Sequence, residues 1–346
     1  MPTSSPAAPR RVKFLELFDL ESGGTRIPAM EGLRAYAVLL TFCVHFFGAW
    51  LFYFRHINVM VFAPHQLPRN TDRILLWLQL SPYGVYLFFI LSGFLICRLV
   101  GGATHFSYLR FLWRRLCRIY PAFILALLLG VAVFTYYAGG QPFSWSGLGA
   151  NLLLLNGVRE FHVEPILHQT WSLFFEVVFY IVFPLLLLLR PLGLWRFRWS
   201  VAIAGVVLVY LPFALGWGQA LFLLFFAGAT AARYDDAQLA KFADRMPRGL
   251  VIVLYLSVTT AIAFRVLSDH VAIWFYGVAG VLLMIETCYG TGWLNKLFAQ
   301  RWLRRMGNVS YSLFLTHIIP IYFVIAVIGP KLFHSTGLGA AFAAAA

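Results

Sequence analysis

Long apolar runs follow one another along almost the whole chain, separated by short polar and often basic segments. A run of about 20 mostly apolar residues can cross a bilayer as an α-helix. The pattern predicts spans near 32–53, 80–98, 119–138, 171–189, 199–215, 217–232, 249–265, 270–288 and 309–330. The run GLGAAFAAAA from Gly337 resembles the start of a tenth. We therefore predict an all-α, polytopic transmembrane bundle of about ten helices.

Composition supports a membrane protein. The chain is 61% hydrophobic and 12% charged, with a mean hydropathy of +0.79, far outside the range of soluble domains. Its net charge of +14 is spread between the apolar runs, which indicates membrane topology rather than nucleic-acid binding. The four cysteines lack C-x-x-C spacing, so no metal is expected. Residues 1–28 are predicted to be a polar tail and 29–346 one membrane domain.

The distribution of Lys and Arg predicts the orientation. With the N-terminus in the cytoplasm, 20 cationic residues fall on inner segments and 6 on outer ones, a bias that the positive-inside rule favours. Arg34 is then expected at the cytoplasmic boundary, His45 in the outer half of the bilayer or near its midplane, and Glu176 in the outer half. His45 and Glu176 could therefore lie at matching depth.

Two ionisable residues share one stripe of the first predicted helix. Arg34 and His45 are three turns apart, about 16 Å along an α-helix, on nearly the same face. Ionisable groups at membrane depth are costly, so an aligned pair indicates a functional site. The alternative is that Arg34 snorkels to the headgroups while His45 is hydrogen-bonded between helices.

A basic, aromatic segment precedes the third predicted span. Its residues Arg115 and Arg118 stand three apart on one helical face, suited to gripping a pyrophosphate, although such segments also anchor to anionic headgroups. In the preceding span, Ser92 and Gly93 indicate close helix packing rather than a nucleophile, because no G-x-S-x-G frame surrounds the serine.

Five segments taken together carry a family resemblance. They are EGLRAYAVLLTFCVH, GVYLFFILSGFLI, RRLCRIYP, TWSLFFEVVFYIVFPLLL and RRMGNVSYSLFLTH. In this order they resemble the integral-membrane acyltransferase family 3, from about Glu31 to about His317. The family comprises largely bacterial enzymes that move acyl groups, often acetyl, from coenzyme A to hydroxyls of sugars and related acceptors.

The resemblance assigns expected roles to individual residues. The Arg-x10-His motif falls on Arg34 and His45, and the R-x-x-R motif on Arg115 and Arg118. The W-S-L-x-x-E block falls on Trp171, Ser172, Leu173 and Glu176. The family usually has a second acidic residue after the first, whereas Val177 follows Glu176 here. Any role for a second acid is therefore in doubt.

The chemistry implied is acyl transfer from acetyl-CoA in the bacterial inner membrane. His45 would act as general base or as acyl carrier, with Glu176 orienting its ring. Arg34, Arg115 and Arg118 would hold the phosphates of coenzyme A. Trp171, Ser172 and His317 would lie on the side of the acceptor, a carbohydrate or glycolipid, with His317 serving either packing or acceptor binding.

Two other classes of protein stay open. Intramembrane Arg, His and Glu residues also mark transport pathways, so a glycolipid transporter or flippase is the alternative. An inactive scaffold is a third possibility, disfavoured by the intact Arg34, His45 and Glu176. The two arginines Arg115 and Arg118 separate enzyme from flippase, because a flippase needs no coenzyme A site.

Overall fold

The computed structural model describes residues 27–59, 61–80, 84–101, 106–137, 144–158, 161–185, 220–267 and 269–328. All regular secondary structure in these ranges is helical, which confirms the all-α prediction. The α-helices are α1 (Pro28–Arg55), α2 (Asn70–Leu80), α3 (Gly84–Gly101), α4 (Tyr108–Tyr137), α5 (Trp145–Leu152), α6 (Trp171–Val182), α7 (Phe222–Ala231), α8 (Asp236–Arg245), α9 (Arg248–Ala263), α10 (Asp269–Tyr289), α11 (Trp293–Phe298), α12 (Arg301–Asn308), α13 (Ser310–Thr316) and α14 (Ile318–Tyr322). Shorter helical turns include the 3-10 turn His168–Thr170 and the π-helical segment Phe323–Ile328.

The described residues contain four to six candidate membrane spans. Four stretches are long and apolar enough to cross a bilayer: Pro28–Arg55, Asn70–Gly101, Tyr108–Phe134 and Val271–Tyr289. Two pairs qualify only if each counts as one bent span: Asp236–Arg245 with Gly249–Ala263 at 88°, and Arg301–Asn308 with Ser310–Ile325 at 61°. The predicted number of about ten is not confirmed. The predicted span 199–215, the run from Gly337 and residues 1–26 of the predicted tail lie outside the described residues.

Hydropathy registers apolar residues and not the continuity of a helix. The predicted span 309–330 is divided into α13, α14 and the π-helical segment Phe323–Ile328. Pro320 lies within α14, and a proline removes one backbone donor from the helical ladder. Length alone therefore does not distinguish one straight span from several short helices.

The first helix, α1, is long and unbroken. Pro28 occupies its first position, where the fixed φ of proline suits a helix start. At the other end His56 adopts the left-handed conformation with φ 53°, and its N–H donates to the Leu51 carbonyl. The 28 residues between these caps form one helix that runs through the bundle.

Contacts at both ends fix the position of α1. Near its start, a Cβ on Gly32 would overlap the Phe298 carbonyl oxygen, and a Cβ on Gly307 would overlap that of Glu31. The first turn therefore lies against the backbone of α11 and α12. Near its end, Arg55 donates two hydrogen bonds to Asp72, at 2.9 and 3.0 Å, and both side chains are largely buried.

A second backbone-to-backbone contact joins α3 to α7. A Cβ on Gly93 would overlap the Phe225 carbonyl oxygen, and one on Gly228 would overlap that of Ile90. Small residues permit such close packing of membrane helices. This confirms that Gly93 is a packing residue. The Phe225 ring also stacks on Phe179 of α6, with centroids 4.5 Å apart, so α6 docks onto this helix pair.

We predict that Gly93→Ala lowers the free energy of unfolding by about 1–3 kcal/mol, because the new methyl group forces α3 away from α7. The control is Gly101→Ala at the end of the same helix, where a Cβ meets no atom within 4 Å. Thermal unfolding in detergent micelles measures both. Equal melting temperatures for the two variants would contradict the backbone contact.

Candidate active site

Arg34 and His45 lie on one continuous helix, α1, as the sequence predicts. Because α1 is unbroken between them, their spacing of eleven positions corresponds to about 16 Å along the helix axis. Both side chains are half-buried. Each one belongs to a different cluster of polar residues.

Arg34 faces a cleft between α1, α3, α4, α6 and α13, which we call the arginine cleft. Its polar lining residues are Arg34, Ser92, Arg115, Arg118, Ser172, Glu176, Tyr180, Ser310 and Tyr311. Apolar side chains, Phe88 and Phe314 among them, line the rest. The structure thus brings the two predicted arginine motifs and the W-S-L-x-x-E block together.

The three arginines of the cleft differ in their surroundings. Arg34 forms an ion pair with Glu31 at 3.1 Å. The Arg115 guanidinium lies over the rings of Phe111 and Tyr180, 5.5 and 5.7 Å from their centroids, and is half-buried. Arg118 is exposed. Among the described residues, neither Arg115 nor Arg118 has a carboxylate within ion-pair distance.

Glu176 belongs to the arginine cleft, where its hydrogen bonds go to residues other than His45. Its carboxylate accepts hydrogen bonds from the hydroxyls of Tyr180, one helical turn later, and Ser92 of α3, the latter at 3.5 Å. The charge of Glu176 acts on Arg34 and Arg115. The prediction that Glu176 orients His45 is therefore not supported by these contacts.

The depth at which α6 begins explains this difference. The Gln169 side chain donates to the Leu315 carbonyl at 2.6 Å, so the turn before α6 already lies beside the segment that carries His317. Glu176 is seven residues further along, about 10 Å towards the Arg34 end of the cleft. The sequence-based prediction started the span 171–189 at Trp171 and so placed Glu176 at the depth of His45.

The neighbour of His45 is a second histidine. The ring centroids of His45 and His317 are 5.0 Å apart, at 46° to each other. His317 is 5% exposed and lies between α13 and α14. His168 also acts electrostatically on His45. The structure thus places His317 beside the predicted catalytic residue His45. The sequence-based prediction gave His317 only a role in packing or acceptor binding.

The two remaining predicted residues support the start of α6. Ser172 is buried, lines the cleft and donates to the Gln169 carbonyl at 3.0 Å. Trp171 is half-buried, and its ring packs edge-on against Phe175 with centroids 5.9 Å apart. These contacts hold the end of α6 that is nearest to the histidine pair.

Polar residues of the site to which the sequence-based prediction gave no catalytic or binding role include Ser92, Gln169, Tyr180 and Tyr311. Tyr180 carries a signal, because it lies four residues after Glu176 and so on the same helical face. The remaining three contact residues far away in sequence, such as Ile119, whose carbonyl accepts from Tyr311 at 2.9 Å.

Within the described ranges, no three His, Cys, Asp or Glu side chains are grouped so as to hold a metal ion.

The fold and the site define a class. The described chain is a multi-pass helical membrane protein with an arginine-rich cleft and a histidine pair between its helices. The family model described as an acyltransferase domain, acyltransferase family 3, matches residues 27–346. The chain belongs to this family.

Curated relatives agree with the family. An acyltransferase of Streptomyces mycarofaciens, MdmB, is 29% identical over 197 residues, covering 54% of this chain and 46% of MdmB. The O-acetyltransferase OatA of Staphylococcus aureus is 25% identical over 345 residues, covering 86% of this chain and 51% of OatA. A putative O-acetyltransferase of S. aureus strain COL has the same identity and coverage over 347 residues. The chain spans about half the length of these relatives, and no solved structure matches it.

We predict that Tyr180→Phe lowers the free energy of unfolding by about 1.5–3 kcal/mol, because it removes a hydrogen bond to a carboxylate within the bundle. Tyr108→Phe is the matched control, since that hydroxyl donates to the Ile181 carbonyl at an exposed position and its loss is expected to cost within about 0.5 kcal/mol. Unfolding in detergent measures both variants. A larger effect at Tyr108 would contradict the assigned hydrogen bond.

Proposed function

We propose that the protein is a membrane-bound O-acyltransferase that moves an acyl group, acetyl in the first instance, from acyl-CoA to a hydroxyl of a carbohydrate or glycosylated acceptor. The observation that carries the proposal is the pairing of sites along α1. Arg34 lies in the arginine cleft, and His45 lies about 16 Å further along the same helix beside His317. The family and the names of its relatives support acyl transfer as the reaction.

The charges in the arginine cleft suit the donor. Three guanidinium groups line one cleft, and the carboxylates of Glu31 and Glu176 offset two of their charges, which leaves net positive charge. Guanidinium groups bind phosphate oxygens through forked hydrogen bonds. Arg34, Arg115 and Arg118 therefore hold the phosphates of coenzyme A, at the cytoplasmic side in the predicted orientation.

The length of the donor connects the two clusters. The pantetheine arm separates the thioester from the phosphates by many bonds, so the acyl carbon reaches His45 while the nucleotide stays at the arginines. His45 takes the proton of the acceptor hydroxyl as the oxygen attacks the acyl carbon. The carbon–sulfur bond breaks, and the proton passes from His45 to the departing thiolate.

An acyl-histidine route uses the same geometry. His45 attacks the thioester carbon, the carbon–sulfur bond breaks, and the thiolate of coenzyme A takes a proton from the acylated imidazolium as it leaves. In a second step the acceptor oxygen attacks the acyl carbon, the bond between the acyl carbon and the imidazole nitrogen breaks, and the acceptor proton passes to the imidazole. In both routes we assign Trp171 and Ser172, at the start of α6, to the acceptor side, with Ser172 on the wall that the acceptor side shares with the arginine cleft.

We predict that His45→Ala lowers the rate of acyl transfer by about 100-fold or more, because it removes the base or acyl carrier. The protein is reconstituted in nanodiscs with radiolabelled acetyl-CoA, and release of coenzyme A and label on the protein are followed. Label retained on the wild type alone supports the acyl-histidine route. A fully active His45→Ala variant would refute the assignment.

We predict that Arg115→Gln weakens binding of coenzyme A by about tenfold or more, because it removes a charge-assisted hydrogen-bond donor from the cleft. The matched control is Arg114→Gln, one position earlier on α4, where the side chain is exposed and outside the cleft lining. Isothermal titration in nanodiscs measures both. Failure of the wild type to bind coenzyme A would favour the glycolipid transporter instead.

A further inference from the structure

His317 is anchored on one side only. Its Nδ1 atom lies 2.7 Å from the Phe314 carbonyl oxygen, one turn earlier. A carbonyl only accepts hydrogen bonds, so Nδ1 carries the ring proton, and Nε2 holds the lone pair in the neutral imidazole. That Nε2 atom is buried and has no hydrogen-bond partner among the described residues.

A buried acceptor without a partner is unusual in a folded protein and calls for an explanation. Packing alone does not provide one, since an apolar ring would fill the same space without a bare nitrogen. The turn that carries His317 is moreover held in place, because Gln169 donates to the Leu315 carbonyl. The unpartnered nitrogen is thus presented at a fixed position beside His45.

The spacing of the two rings suits a hydrogen bond between them. Two imidazoles joined by an N–H···N bond of about 3 Å have centroids roughly 5 Å apart. The centroids of His45 and His317 are 5.0 Å apart, and the tilt of 46° leaves the bond to be completed by rotation of the half-buried His45 ring.

We propose that His317 is the positioning residue for His45: its Nε2 accepts a hydrogen bond from the ring N–H of His45 and so turns the other His45 nitrogen towards the acyl carbon and the acceptor hydroxyl. The inference rests on the proposed function and deepens it. It gives His317 the orienting role that the sequence-based prediction gave to Glu176, whose carboxylate is instead bonded to Tyr180 and Ser92.

The role has a consequence for pH dependence. Protonation of His317 turns Nε2 into a donor, so the bond from His45 is lost as the pH falls. Protonation of His45 removes its lone pair as well. The titratable groups that act on His45 are His317 and His168. The wild-type rate is therefore expected to fall at acid pH with the uptake of two protons, one on each ring.

Two substitutions of His317 separate the role of Nε2 from that of Nδ1. His317→Asn keeps a donor to the Phe314 carbonyl but loses Nε2, and we expect kcat to fall about 100-fold with KM for acetyl-CoA unchanged. His317→Gln places an acceptor oxygen near Nε2 that does not titrate. We expect it to restore at least about a tenth of the wild-type rate, with an acid limb that reports one proton instead of two.

The control is His168→Gln, since the exposed His168 also acts on His45 but has no assigned role; its rate and its two-proton acid limb are expected to match the wild type. If His317→Asn and His317→Gln both keep the wild-type rate and acid limb, the inference is overturned. An equal loss of rate in the two variants would overturn it as well. An inactive His45→Ala beside a fully active His317→Asn would overturn this inference alone, whereas an active His45→Ala would overturn the proposed function.

A spectroscopic measurement tests the inference without any variant. Nitrogen-15 NMR of histidine-labelled protein in nanodiscs distinguishes the two tautomers of His317. A neutral ring protonated at Nδ1 is expected at neutral pH. A ring protonated at Nε2 would overturn the inference, because Nε2 then has no lone pair to accept the bond from His45.

Discussion

The fixed axis of α1 is the constraint on which the candidate site depends. The buried Arg55–Asp72 pair holds one end, and backbone contact at Gly32 and Gly307 holds the other. Breaking a buried ion pair or opening a glycine contact is costly, so α1 has little freedom to slide or turn. The distance between Arg34 and His45 is therefore fixed by the geometry of one unbroken helix, and the helices that pack against α1 complete the site around these two residues.

Elements that pack on α1 complete its two polar clusters. Around Arg34, the aromatic rings beneath Arg115 and the carboxylate of Glu176 hold like charges close together, an arrangement that repels itself unless anions are nearby. Around His45, the turn between α13 and α14 contributes the imidazole of His317, which carries no charge when it is neutral. One cluster is suited to binding anions, and the other is suited to moving a proton.

The sequence predicts the stripe on α1 and the arginine motif because both depend on helical periodicity within a single segment. It does not predict that Glu176 faces the arginines, because depth and rotation of α6 follow from the Gln169 contact with Leu315, 146 positions away. Tyr311 and Ser92 enter the site through similar long-range packing. The predicted number of spans is not confirmed among the described residues, and hydropathy does not detect the bends near Asn308 and Arg245.

Phe314 borders both clusters. Its ring lines the arginine cleft and packs edge-on against Phe88 at 6.0 Å, while its carbonyl fixes the Nδ1 atom of His317. Phe314 thus contributes to both clusters, with its side chain in the arginine cleft and its main chain at the histidine pair. The carbonyl belongs to the backbone of α13 and does not move when the ring changes rotamer, so the anchor of the His317 Nδ1 atom does not depend on what the ring contacts.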